Sequence, residues 1–155
     1  MQINLYTVLN EDITEKIQKL EDYSGVKFPE SYIGFIKKYN TGIPITNKFE
    51  FNGNVYVIER FLGFINNYKT SSIGIYDIAV VLSQIDTRLT DNPDLEGDEL
   101  IPIASLFAGN YLCFDFTKDG ENPSICIWDH EESDKFQPVT YKVADSFSEF
   151  IEMLS

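Results

Sequence analysis

Tyr111-Leu112-Cys113-Phe114-Asp115-Phe116, followed after a polar turn by Ser124-Ile125-Cys126-Ile127-Trp128, is the stretch that decides the fold. Both runs are short, apolar, rich in aromatic and β-branched residues and bounded by turn formers, the pattern of buried strands. The turn over 117–123 contains Asp119, Gly120, Asn122 and Pro123, residues that set or tolerate tight backbone geometry. Upstream, residues 101–104 read as a short strand and Phe49-Glu50-Phe51-Asn52-Gly53 opens a hairpin that continues through Val55 and Val57. Asn-Gly between alternating apolar residues is the strongest short hairpin signal. Downstream, residues 139–143 leave room for a last strand. Residues 61–65 are ambiguous between a strand end and a loop.

Helices flank this run of strands. The first is predicted over 11–23, with Asn10 as N-cap, Glu11 and Asp12 in the first turn, and Gly25 as its stop. Ile13, Ile17 and Leu20 give it one apolar stripe. The second starts at Pro29 and repeats Tyr32, Phe35, Ile36 and Tyr39 at helical spacing until Asn40 and Gly42. Gly34 inside it marks an expected close approach of another element. After a helix start around 71–74, a third stripe runs through Ile78, Val81, Leu82 and Ile85. In the last helix Ser146 and Glu149 form a capping box ahead of Phe147, Phe150, Ile151 and Leu154. Strands gathered between helices, without strict alternation, predict an α+β fold: a central antiparallel sheet with helices packed around it.

The chain of 155 residues has the size of one domain, and we read 1–155 as a single unit. A hydrophobic fraction of 43% supplies a core. No apolar run approaches the ~20 residues of a membrane helix, and residues 1–10 lack the features of a signal peptide. A cytoplasmic protein with reduced, buried Cys113 and Cys126 is the expectation. Twenty-five acidic against 12 basic side chains give a net charge of -13. Such a surface repels nucleic acid and anionic lipid and favours a basic partner.

Catalytic signals are absent from the sequence. The one histidine, His130, lies among Asp129, Glu131 and Glu132, but no nucleophile motif or phosphate loop accompanies it. Nothing in the spacing of Asp77, Asp86, Asp115 and Asp129 pairs them for acid–base work; Asp115 is a structural candidate. One histidine and two thiols do not assemble a metal site, so neither metal nor cofactor is expected. Two dense acidic segments remain: Asp91, Asp94, Glu96, Asp98 and Glu99 in a predicted loop over 90–99, and Asp129, Glu131, Glu132 and Asp134. They lack the calcium-loop pattern, and are the candidate contact surface for a basic protein partner.

Several pieces, taken in order, resemble one family. Phe28-Pro29-Glu30-Ser31-Tyr32 leads to Phe35 and then Tyr39-Asn40-Thr41-Gly42. Leu100-Ile101-Pro102-Ile103-Ala104 precedes Gly109-Asn110-Tyr111, Cys113-Phe114-Asp115-Phe116, Ile125-Cys126-Ile127-Trp128-Asp129-His130-Glu131 and Val143-Ala144-Asp145-Ser146-Phe147-Ser148-Glu149-Phe150. This order is similar to the SMI1/KNR4 proteins, the SUKH superfamily, from about Phe28 to the C-terminus. Thr41 departs from it, standing where the family usually has a second glycine. The resemblance implies an α+β fold and a non-catalytic role. Bacterial members are mostly immunity proteins that bind and block a toxin domain, often a nuclease; fungal members act as interaction modules in cell-wall assembly and signalling. It supplies no catalytic residue, and implies that Trp128, Asp129 and Asp145-Ser146-Phe147 hold the fold. A basic nuclease domain is the partner that an inhibitor of this charge would suit.

Overall fold

A computed structural model describes residues 1–89, 100–129 and 139–155, with the backbone alone over 85–89. Its core is a six-stranded antiparallel sheet whose spatial order follows the chain: β3 (Lys48–Phe51), β4 (Asn54–Phe61), β5 (Leu100–Leu106), β6 (Tyr111–Asp115), β7 (Ser124–Trp128) and β8 (Thr140–Ala144). A separate two-stranded ribbon pairs β1 (Ile3–Asn4) with β2 (Ile43–Pro44). Four α-helices accompany them among the described residues: α1 (Thr14–Ser24), α2 (Glu30–Tyr39), α3 (Ile78–Leu89) and α4 (Phe147–Met153). The architecture is α+β, as the sequence predicts.

The local signals act where the sequence puts them. In the β3–β4 hairpin Asn52 and Gly53 both take positive φ, 53° and 82°, the pair of values a tight right-twisted turn requires. Gly25 ends α1 at φ 68°. At α4 the Ser146 Oγ accepts the Glu149 N–H at 3.2 Å, while the Glu149 carboxylate reaches back to the Asp145 N–H at 3.0 Å. That is a capping box with its return bond one residue further upstream.

Two local expectations fail. Asn10 is not the cap of α1: the helix begins at Thr14, whose N–H donates to Asp12 Oδ1 at 3.1 Å. Asp12 is a nearer acceptor, and Ile13 is drawn into the core. The Glu11 carboxylate instead accepts the Asn66 N–H at 3.1 Å. Gly34 marks no close approach, because a Cβ there would meet nothing within 4 Å; nothing in the structure explains the glycine.

One face of the sheet is sealed by aromatic rings from two helices. Tyr32 on α2 sets its ring edge-on to Phe114 at 4.9 Å and to Phe147 at 5.3 Å. Phe35 stands 4.9 Å from Phe61 and 5.2 Å from Phe147. Phe150 packs edge-on to Phe49 at 5.1 Å. Each such pair adds about 0.5–1.5 kcal/mol beyond the area it buries. The Tyr32 hydroxyl sits inside this cluster without a hydrogen-bond partner among the described residues, and burial pushes its ionisation far up.

A buried polar joint ties the remaining pieces together. Asn40, just past α2, is 1% exposed. Its Nδ2 donates to the Phe64 carbonyl at 2.8 Å and its Oδ1 accepts the Phe64 N–H at 2.9 Å. The side-chain amide thereby serves the backbone of residues 61–65 as a neighbouring strand would, which resolves the ambiguity of that stretch. Gly63 leaves room for it, since a Cβ there would fall 2.0 Å from Asn40 Oδ1. Asp77, 2% exposed, accepts the Ile65 N–H at 2.8 Å and the Val80 N–H at 3.1 Å, fastening the same segment to the start of α3. Thr41 takes φ 60°, strained for a β-branched residue, and its carbonyl accepts Arg60 Nε at 2.6 Å. Arg60 Nη2 also donates to the Thr7 carbonyl at 2.9 Å, which brings in the N-terminal segment.

Removing the Asn40 amide strands two buried backbone groups, each costing about 1–3 kcal/mol. Asn40→Ala is therefore expected to lower stability by about 3 kcal/mol and the melting temperature by roughly 10 °C. Thermal unfolding monitored by circular dichroism checks this, and an unchanged melting temperature would contradict it.

Candidate interaction surface

The two acidic segments attach to the sheet at opposite ends. Residues 90–99 enter β5 at Leu100, whose register partner is Asp115. Residues 130–138 leave after Asp129 and return at Val139, beside the Trp128–Thr140 and Tyr111–Trp128 pairs. Four residue steps along β6 separate Asp115 from Tyr111, so the two attachment points are about 13 Å apart along the strands. Asp91, Asp94, Glu96, Asp98, Glu99, Glu131, Glu132 and Asp134 lie outside the described residues, as does His130. Asp129 is described: it is partly buried, and its N–H donates to the Val139 carbonyl at 3.0 Å, closing the β7–β8 ladder.

At the Leu100 end, Asp115, Thr117, Lys118, Asn122, Ser124, Lys142 and Asp145 line an open depression of about 270 Å³. Four of its groups are engaged in two pairs. Asp115 Oδ1 accepts both the Thr117 N–H at 2.9 Å and the Thr117 hydroxyl at 2.5 Å. Lys142 pairs with Asp145, which holds the ammonium pKa above its ordinary value. Asp77 is committed to the joint below the sheet, so Asp77, Asp115 and Asp129 are on separate errands and form no catalytic pair. Among the described residues no three histidine, cysteine or carboxylate side chains come together as a metal site.

At the Trp128 end the surface is different in kind. Phe107, in the short β5–β6 turn, is 73% exposed. It follows Leu106, whose register partner is Ile58 on β4. The turn is held by Ala108 at φ 73° and Gly109 at φ 90°; the left-handed region is costly for alanine. Next along the sheet, the Ser105 hydroxyl donates to Glu59 Oε1 at 3.2 Å, and Glu59 is exposed. Tyr111, half-buried, has its pKa raised first by burial and then by Cys113, Glu59 and Tyr76. Arg60 is turned inward, its guanidinium 5.0 Å from the Tyr76 ring. Sequence reasoning gave Phe107 no role, because periodicity detects buried faces and is silent about a single exposed ring in a turn.

Cys113 and Cys126 are free, face each other across β6 and β7 and are buried. Trp128 is fully buried two pairs along, its ring 6.1 Å from Tyr111. Burial pushes both thiols up, and Asp115 beside them adds to the shift. Since the thiolate is the reactive form, both are expected to be inert in the folded protein. A thiol reagent such as Ellman's should label neither in native buffer at pH 8 and both in denaturant; rapid native labelling of either would contradict this.

A family model described as SMI1-KNR4 cell-wall matches residues 14–151. The chain is also 28% identical over 142 residues to the SPbeta prophage-derived uncharacterized protein YokK of Bacillus subtilis (strain 168), covering 88% of this chain and 71% of that relative. No helix among the described residues is long and apolar enough to cross a membrane.

Proposed function

The chain belongs to the SMI1-KNR4 family, whose members are generally non-catalytic interaction domains, and from that premise we propose that it is an immunity protein that binds and neutralises a basic toxin domain. The observation that carries this reading is the net charge of -13. A nuclease domain must be basic to hold a polyanion, and an acidic inhibitor both competes with that polyanion and is steered towards its target. The absence of any assembled acid–base pair among the described residues and the mutual pairing of Asp115, Thr117, Lys142 and Asp145 support a binding role over a catalytic one. The prophage origin of the relative YokK fits a mobile genetic context in which toxin and inhibitor travel together.

The acidic segments at the two ends of the sheet are the proposed steering elements. In stopped-flow association with a cognate basic toxin domain, to be sought among the neighbouring genes, the triple variant Glu96→Lys, Asp98→Lys, Glu99→Lys is expected to associate roughly tenfold more slowly at low salt, with the difference shrinking as salt is raised. A control must match its charge without touching the fold. Glu11 and Asp12 are unsuitable because they bond Asn66 and Thr14. Exposed Glu15, Asp22 and Glu152 serve instead: Glu15 and Asp22 contact only the exposed side chains of Lys19 and Gln18 on their own helix, where such pairs add little stability. Equal slowing by both triples would mean that only total charge acts, and no association by the wild type would remove the immunity reading.

A further inference from the structure

We propose that the outer edge of β8 is a self-association surface, closed by the same edge of a second copy of this chain to join two six-stranded sheets across a two-fold axis. This contact neither uses nor tests the immunity reading. The sheet has two outer strands, β3 and β8, and they are finished differently. On β3, Lys48 turns both backbone groups outward: its N–H donates to the Ser155 carbonyl at 3.1 Å and its carbonyl accepts the Ser155 N–H at 2.8 Å. On β8, the Asp129 N–H donates to the Val139 carbonyl at 3.0 Å, and Trp128 and Cys126 of β7 stand opposite Thr140 and Lys142. By the alternation of an antiparallel ladder, Val139 and Tyr141 bond inward to β7, while Thr140 and Lys142 aim their N–H and C=O groups out of the sheet. Among the described residues no hydrogen bond reaches these outward groups.

An unpaired edge is a template for another strand, and the sequence of this one fits its own copy. Set antiparallel about Tyr141, Thr140 of each copy faces Lys142 of the other, each pair exchanging both its N–H···O bonds. Side chains alternate between the faces of a sheet, so on one face Tyr141 meets Tyr141 and Val139 meets Val143. All three are only partly buried in the single chain, and cross-strand apolar and aromatic pairs stabilise a sheet. Lysine is the usual guard of an edge strand. In this register Lys142 stands opposite a threonine and keeps its bond to Asp145; sliding the copies until Lys142 faces Lys142 would oppose like charges. The irregularity between Ile125 and Cys126 lies beyond Lys142 and leaves the paired stretch regular. A foreign strand would gain the same backbone bonds, but the mirrored order Val139, Tyr141, Val143 commits the edge to a second copy. The net charge of -13 on each copy opposes the union, so it strengthens as salt screens the repulsion.

The test is sedimentation of the full chain over a concentration series at low and high salt, with amide hydrogen exchange measured at both ends of the series. A reversible monomer–dimer equilibrium is expected, shifted towards dimer by salt, with the Thr140 and Lys142 amides exchanging more slowly as dimer forms. The Glu50 amide, outward on the opposite edge strand by the same alternation, is expected not to change. Thr140→Pro removes one outward N–H and leaves the β7 ladder alone, a position at which an edge strand accepts proline. It is expected to weaken the dimer by about tenfold or more, with the melting temperature of the dilute protein unchanged. Should that variant fail to fold, the exchange of the two amides decides alone. A chain that stays monomeric throughout the series at both salts, a dimer that Thr140→Pro leaves intact, or a dimer in which Thr140 and Lys142 exchange as in the monomer would each overturn the proposal.

Discussion

The Asn40 side chain holds the fold at its least regular point. Beyond the end of β4 at Phe61, residues 62–65 cross the buried interior without forming a helix or a full strand, and Leu62, Phe64 and Ile65 are at most 2% exposed. Buried backbone without a ladder is costly unless each polar group finds a partner. Asn40 supplies both partners to Phe64, Asp77 supplies one to Ile65, and Gly63 exchanges bonds with Tyr76 and Ile78. The whole arrangement depends on Gly63 having no side chain. Through it α2, β4, α3 and the N-terminal segment are fixed to one another. A hub of satisfied side-chain and backbone bonds of this kind is worth more than its separate pairs in a low-dielectric interior.

That joint has a consequence for binding. With α2 and α4 closed over one face of the sheet by interlocked rings, the proposed contact groups are those of the segments at the strand ends. Loops mounted on a rigid scaffold are the usual carriers of recognition. Here one end of the sheet carries the Asp115–Thr117 and Lys142–Asp145 pairs, and the other exposes the Phe107 ring in the β5–β6 turn. The acidic segments join the sheet at both ends, which suits the steering role proposed for them.

The parts of the fold that were legible in the sequence are those specified by near neighbours. Asn52-Gly53 dictates its hairpin, Ser146 and Glu149 dictate the start of α4, and the alternating runs around Cys113 and Cys126 dictate the central strands. What was not legible depends on partners far along the chain. Asn40 reads as a helix stop, because its true partner, Phe64, lies 24 residues away. The β1–β2 ribbon has two residues per strand, too short for any period to register. Asn10 and Asp12 are equally good cap residues by type; the burial of Ile13 selects between them. Thr41, where the family usually has glycine, keeps the left-handed backbone that a glycine would take freely. The acidity was visible at once, whereas the exposure of Phe107 was not, since a single exposed ring in a turn leaves no periodic trace.

The Asn40–Phe64 clamp is part of the cooperative core rather than a loop contact. Native-state hydrogen exchange of the Phe64 and Ile65 amides measures this directly, because both donate to side chains rather than to a ladder. The account predicts that they exchange only through global unfolding, with a free energy and denaturant dependence matching the Leu112 and Phe114 amides of the central strand. Exchange of Phe64 and Ile65 through local opening, fast and insensitive to denaturant while the central strand stays protected, would contradict it.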